Sequence, residues 1–342
     1  MEDYAIVFDF ILLEIIVIAA FVLLTYMFRY FFYFKSDQET KLQSVTIDFL
    51  KKQIEKNEIS PLPSVKHLYG IIKAIEIIDG KYHSNQNWIR VKCALMSKQI
   101  LPIARKYIKH SDWFKHFILL KCYHIHMEPM DEDNIIKLIH SRLPILITFA
   151  IKIGATLAKV NVYKNIIYKL SNEQRQFQIM NISQLDNSSE LQQAIWDILQ
   201  NENRFEVRQV CYRIIRYTEA KSEYFAIALT DALSNNINLQ ISAIQILAIT
   251  NTVKAMPVYF ELFKHEDWRI RNAVVRGLTN IKNPQCFLLL THALKDPAWW
   301  VKTNAAKILS ASTEGKEILN KQTGITYFEA EYFLTIRQLK EE

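Results

Sequence analysis

Four aligned positions in the C-terminal half of the chain, Arg213, Gln245, Arg276 and Lys307, include three cations. At about 100° per helical residue, Arg276 lies about 240° from Ile270. That is opposite the apolar arc of Ile270, Ala273, Val274 and Leu278. The column therefore faces a groove or solvent. With Tyr212, Arg216, Asn272 and Thr303 it makes a polar, basic strip, and Trp300 adds an aromatic anchor. The chemistry of such a strip is recognition: it suits an acidic protein surface or an anionic headgroup.

Reaction chemistry is harder to find. The sequence contains no G-x-x-x-x-G-K-[ST], no G-x-S-x-G and no H-E-x-x-H. Its six glycines are too scattered to cradle a phosphate. "KCYHIHMEP" offers Cys122, His124 and His126, but residues two apart on a helix point apart, and no second ligand pair has zinc-like spacing. No catalytic residue, metal or cofactor is expected. Cys93, Cys122, Cys211 and Cys286 sit far apart in apolar helical patterns and read as reduced core residues.

A repeat must position the strip. "VRQVCYRII" (207–215), "LQISAIQIL" (239–247), "IRNAVVRGL" (270–278) and "VKTNAAKIL" (301–309) align without gaps, their starts 32, 31 and 31 residues apart. An apolar residue opens and closes each, and the fifth place holds Cys211, Ala243, Val274 or Ala305. Each follows another helical stretch: "LQQAIWDIL", "SEYFAIALTDAL", "MPVYFELF" and "NPQCFLLLTHAL". Two helices per period of this size predict a stacked α-solenoid, because one hairpin cannot bury its own apolar face.

The second helices, best in "EDWRIRNAVVRGL" and "DPAWWVKTNAAKIL", resemble HEAT repeats of the short bacterial type also seen in phycobilin-lyase-related proteins. The resemblance implies that the column Arg208, Gln240, Arg271 and Lys302 bonds loop aspartates such as Asp267 and Asp296, forming a ladder. By position, Trp268 and Trp299 are expected to plug the groove between stacked repeats. The resemblance covers about 190–312, with "NWIRVKCALMSKQI" and "DWFKHFILLKCY" as degenerate earlier repeats.

The N-terminus has a different character. "FILLEIIVIAAFVLLTYMF" (10–28) lies in an apolar stretch from Tyr4, long enough for the ~20 residues that span a bilayer. Tyr26, Tyr30, Phe31, Phe32 and Tyr33 resemble an interfacial belt. Residues 1–28 carry −4 and no Lys or Arg; the net charge is +7, so the remainder carries +11. Arg29, Lys35, Lys41, Lys51 and Lys52 follow the span, which places the body in the cytoplasm. Glu14, inside the span, either reaches water or meets a polar group on a partner membrane helix.

The expectation is an all-α chain: a single N-terminal transmembrane helix followed by an α-solenoid of HEAT-like hairpins. Residues 1–34 form the anchor, embedded through 4–33. Residues 35–63 form a juxtamembrane amphipathic helix with Leu42, Val45, Phe49 and Ile54 as its stripe, ended by Ser-Pro-Leu-Pro at 60–63. Residues 64–190 form a helical region with degenerate repeats, 191–312 the HEAT-like repeats, and 313–342 capping helices. "LPILITFAIKIGATLA" (143–158), interrupted by Lys152, reads as a buried core helix and not a second span.

Anchored proteins of this kind are similar to bacterial membrane-tethered HEAT-repeat proteins, some accompanying membrane glycosyltransferases. The resemblance implies a non-catalytic scaffold in the inner membrane. It would bind a cytoplasmic protein or the cytosolic part of an integral membrane enzyme, with anionic lipid contact at the surface. The competing reading is an enzyme on the same scaffold, an alkylpurine DNA glycosylase or a chromophore lyase-like protein. The +11 body and "DWR" fit the glycosylase; the membrane span argues against nucleic acid as the partner.

Overall fold

The structure is a computed structural model that describes residues 18, 21–27, 41–56, 58–65, 67–218, 221–279, 283–322, 332–333 and 335–336. Described residues form helices and connecting turns with no strand among them. The chain divides into two compact units, Met1–Asn134 and Ile135–Glu342.

Most of the expected membrane span, Glu14 included, lies outside the described residues, as does most of 323–342. Within the span, Ile18 and residues 21–27 are helical and exposed. No helix among the described residues is long and apolar enough to cross a membrane.

In the first unit, α1 (41–56) buries Thr46, Leu50, Gln53 and Ile54. Of the expected stripe, Ile54 is buried and Leu42 and Phe49 are half-buried, but Val45 is exposed and Thr46 faces inward in its place, its hydroxyl satisfied by the Leu42 carbonyl at 2.8 Å. Next come α2 (Leu68–Tyr82) and α3 (Gln86–Leu95), which bury Ile71, Ile75 and Ile78 with Trp88, Val91 and Leu95. A π-helical turn, Met96–Ile100, leads into the short α4 (Leu101–Ala104). Pro102 supplies the cause: it has no N–H for the carbonyl four residues back, and the wider turn absorbs the missing bond. After α5 (Trp113–Ile125), Arg105 grips fully buried Asp131 through two bonds of 2.7 and 2.9 Å and takes Glu128 at 2.6 Å. Burial, the largest single influence, would raise the Asp131 pKa; hydrogen bonds from Arg105, the Glu128 N–H and Tyr123, with the Arg105 charge, together outweigh it and hold the group below its ordinary value.

From α6 (Glu132–Ile139) the chain enters the second unit. There α7 (Pro144–Ala155) is a 12-residue core helix that buries Leu146, Ile147, Ala150 and Ile151, as the interruption at Lys152 predicts. A Cβ on Gly154 would meet Ile135 at 3.0 Å and Val162 at 3.1 Å, so glycine permits that close packing. Then come α8 (Val160–Ser171) and α9 (Arg175–Ile182).

Four hairpins follow: α10 (Ser189–Asn201) with α11 (Phe205–Tyr217), α12 (Tyr224–Ala232) with α13 (Ile237–Thr250), α14 (Thr252–Leu262) with α15 (Trp268–Gly277), and α16 (Pro284–Ala293) with α17 (Trp299–Leu309). The helix α18 (Thr313–Gln322) packs on α17. Second helices touch in succession, α11 on α13, α13 on α15 and α15 on α17. Cys211, Ala243, Val274 and Ala305 are all completely buried at those contacts, where their small size lets the helices approach. Side-chain caps from Ser188, Asn236, Asp267 and Asn283 start α10, α13, α15 and α16.

Two arginine rungs tie neighbouring hairpins. Arg208 on α11 donates to the carbonyls of Leu199 and Glu202 at 2.6 and 2.9 Å, and to Asp231 on α12 at 2.7 and 3.0 Å. Arg271 on α15 repeats the pattern with the carbonyls of His265 and Glu266 and, bidentately, with Asp296 at 2.7 and 2.9 Å. The expected Arg271–Asp296 rung is present; the one through Asp267 is not. Asp267 caps α15 and pairs with Arg269 at 2.6 Å, because the helix that would reach it presents neutral Gln240.

Candidate anion-binding site

The outward polar faces of α11, α13 and α15 line a cavity of about 410 Å³, closed on one side by Arg175 from α9. Each helix contributes residues one or two turns apart. Gln209, Arg213 and Arg216 come from α11; Asn238, Ser242 and Gln245 from α13; Arg269, Asn272 and Arg276 from α15. That i, i+3/4, i+7 spacing puts each trio on one stripe, and the register of the stack lays the stripes side by side.

Among the described residues, no Asp or Glu lines the cavity. Arg269 is neutralised by Asp267. Arg175, Arg213, Arg216 and Arg276 have no carboxylate partner among the described residues; Arg216 donates to the Gln245 amide oxygen instead. Arg213 is half-buried, whereas Arg175, Arg216 and Arg276 reach solvent at the rim. Burial, then the neighbouring Arg175 and Arg216, push the Arg213 pKa below its ordinary value. Loss of surrounding water, then Arg276, does the same to Arg216. Guanidinium does not lose its proton in a protein, so this crowding is held as repulsion that an anion would relieve.

The nearest ladder carboxylate is already committed. Tyr212 lines the cavity, yet it is fully buried and its hydroxyl donates to Asp231, the partner of Arg208. Tyr212 is therefore a wall and not the exposed polar contact its position suggested, because its ring fills the space between α11 and α12. Burial and the Asp231 charge drive its pKa well above the ordinary tyrosine value.

Of the nine strip residues, the fold gathers Tyr212, Arg213, Arg216, Gln245, Asn272 and Arg276 around one space. Trp300, Thr303 and Lys307, one repeat further on, do not line it. Trp300 is exposed and meets Trp299 edge-to-face, ring centroids 4.5 Å apart. Thr303 buries a hydroxyl oxygen that has no hydrogen-bond partner among the described residues, and Lys307 is exposed. Glu14 lies outside the described residues.

The tryptophans correct an expectation. Trp268 is 40% exposed and Trp299 51%, so neither plugs the groove between repeats. Both sit at the first turn of a second helix, where a side chain leans back over the loop and not into the stack. Trp268 instead forms part of the cavity wall. The contributions of Arg175, Gln209, Asn238, Ser242 and Arg269 were not anticipated. The polar stripe 238, 242, 245 was readable from its spacing; Arg175 lies outside the repeat period and carried no such signal.

Cys122, considered above as a ligand, is buried, and burial pushes its thiol up to about 12. His126 bonds the Ser97 hydroxyl at 3.0 Å. No group of three or more metal-ligating side chains gathers among the described residues.

No curated protein matches the chain. Residues 222–310, from just before α12 to the end of α17, match the model of a family described as HEAT repeats.

Proposed function

We propose that this chain is a non-catalytic HEAT-repeat scaffold, held at the cytoplasmic face of a bacterial inner membrane, that binds an anionic element of a protein partner on the face formed by α11, α13 and α15. One observation carries the reading: four arginines crowd one cavity without a carboxylate partner among the described residues. Natural folds pair or solvate such charge, and a half-buried Arg213 crowded by three arginines that reach solvent at the rim is a site suited to an anionic ligand. Repeat stacks commonly present extended binding faces of this kind.

The tether is supported by the apolar length of Tyr4–Phe28, the cations that follow it, and the exposure of Phe21, Leu23, Leu24 and Met27. A partner within the membrane, such as the cytosolic part of a polysaccharide glycosyltransferase, fits a body held close to the bilayer. Anionic headgroups would add to the attraction.

The test is mild-detergent co-purification from native membranes with mass spectrometry, wild type against Arg213→Glu, Arg276→Glu and Lys307→Glu combined. The triple variant should keep its helical circular dichroism and lose the partner captured by wild type; equal capture refutes the reading. Arg213 and Arg276 should carry the loss, since Lys307 lies outside the cavity. Deleting residues 1–34 should release the protein from carbonate-washed membranes; retention would remove the tether.

A further inference from the structure

We infer that the arginine cavity binds a soluble nucleotide carrying two adjacent phosphoryl groups, with Trp268 as the stacking face for its base. The inference rests on reading this face as the binding face; it gives the cavity itself to a small ligand and leaves the surrounding face to the protein partner.

Charge decides first. Arg175, Arg213, Arg216 and Arg276 bring four positive charges to one space, and no acidic side chain among the described residues lines it. A carboxylate supplies one negative charge, whereas a phosphomonoester brings about −1.5 to −2 at neutral pH. Two adjacent phosphoryl groups therefore approach neutrality in a compact volume. An acidic peptide would need several carboxylates, with their backbone, inside the same space.

Size and donor geometry agree. About 410 Å³ falls within the ~300–1,000 Å³ typical of small-molecule pockets. Guanidinium forks arriving from α9, α11 and α15 can meet oxygens of neighbouring phosphates from separate directions. Arg216 is held toward the cavity by Gln245, which lowers the entropy lost on binding. On the wall formed by α15, Trp268 leaves 40% of its surface open. A base stacked on an aromatic ring gains about 1–3 kcal/mol whatever its identity. Asn238 and Ser242 stand nearby to meet polar edges of the base or sugar.

The test uses the full chain in mild detergent. Calorimetry and tryptophan fluorescence are run with ADP, pyrophosphate, inorganic phosphate, adenosine, citrate and a single-stranded oligonucleotide. ADP should bind one per chain, about tenfold or more tighter than pyrophosphate, which should compete with it; adenosine should not bind measurably. Arg213→Gln with Arg276→Gln should weaken both ADP and pyrophosphate by tenfold or more. Trp268→Leu should reduce ADP to the pyrophosphate level and leave pyrophosphate unchanged. Citrate binding as tightly as pyrophosphate would reduce the cavity to a counter-ion trap and overturn the inference. So would an oligonucleotide that outcompetes ADP, or undiminished ADP binding by the arginine variants. If ADP fails to bind while the charge-reversed chain still loses its protein partner, the nucleotide is wrong and the scaffold reading stands. If ADP binds and the partner is captured regardless, the reverse holds.

Discussion

The helices α11 and α15 each carry arginines of two fates, about a turn and a half apart. On one side Arg208 and Arg271 are saturated: each spans two backbone carbonyls and a nearly buried aspartate. On the other, Arg213, Arg216 and Arg276 have no carboxylate partner among the described residues, and Arg213 and Arg216 are crowded by neighbouring arginines. The residue type is the same, so the difference lies in the partner supplied. Where the fold provides a carboxylate, arginine ties repeats together; where none of the described residues supplies one, arginine is left for the binding role proposed above.

Breaking the saturated side should have the largest effect. Arg271→Ala leaves the buried Asp296 charge without its cation, only the Ala298 N–H still donating to it, and should cost about 3–5 kcal/mol in urea unfolding. A loss below about 1 kcal/mol would mean the rung is ornamental. Tyr212→Phe removes one of two partners of Asp231 and leaves Arg208 in place, so about 1–2 kcal/mol is expected by the same measurement. The ion pairs in the hairpin turns should be weaker and pH-dependent. Hydrogen bonds from Arg204 hold Glu202 at about 2, and those from Arg269 hold Asp267 at about 2, below ordinary values of 4.5 and 3.8. Folded values below unfolded ones mean a contribution present above pH 4.5 and lost as pH falls towards 2. The stability gap between wild type and Asp267→Asn should therefore narrow as pH falls from 3.8 towards 2 and stay flat above 3.8. Smallest of all, Arg276→Gln should change stability by no more than about 0.5 kcal/mol, or raise it, because it relieves repulsion. A loss of several kcal/mol would show that Arg276 belongs with the saturated set.

What the sequence disclosed, and what it concealed, follows one division. Positions fixed by the repeat were legible: the opening, fifth and closing places of each second helix are buried as read, from Val207, Cys211 and Ile215 to Val301, Ala305 and Leu309. The Arg213–Gln245–Arg276 column was legible for the same reason. Positions set by a side chain's reach were not. Trp268 and Trp299 occupy equivalent places, but their direction depends on the loop before the helix. Asp231 escaped notice because it pairs from within a helix, where a loop aspartate was expected. At the N-terminal end, Val45 and Thr46 exchanged roles because a hydroxyl that bonds its own backbone is cheap to bury. Arg175 needed the fold itself, since nothing in the repeat points to α9.

Gln240 gives the stack an unequal seam. Joints on either side carry an arginine rung, while the joint between the α12–α13 and α14–α15 hairpins has a neutral amide at that position. Under a pulling force along the stack, this seam should part before its neighbours. The cavity lies across the same seam, with Arg213 and Arg216 on α11 and Arg276 on α15. An anion clasped between them would act as a removable rivet, turning a compliant joint into a stiff one.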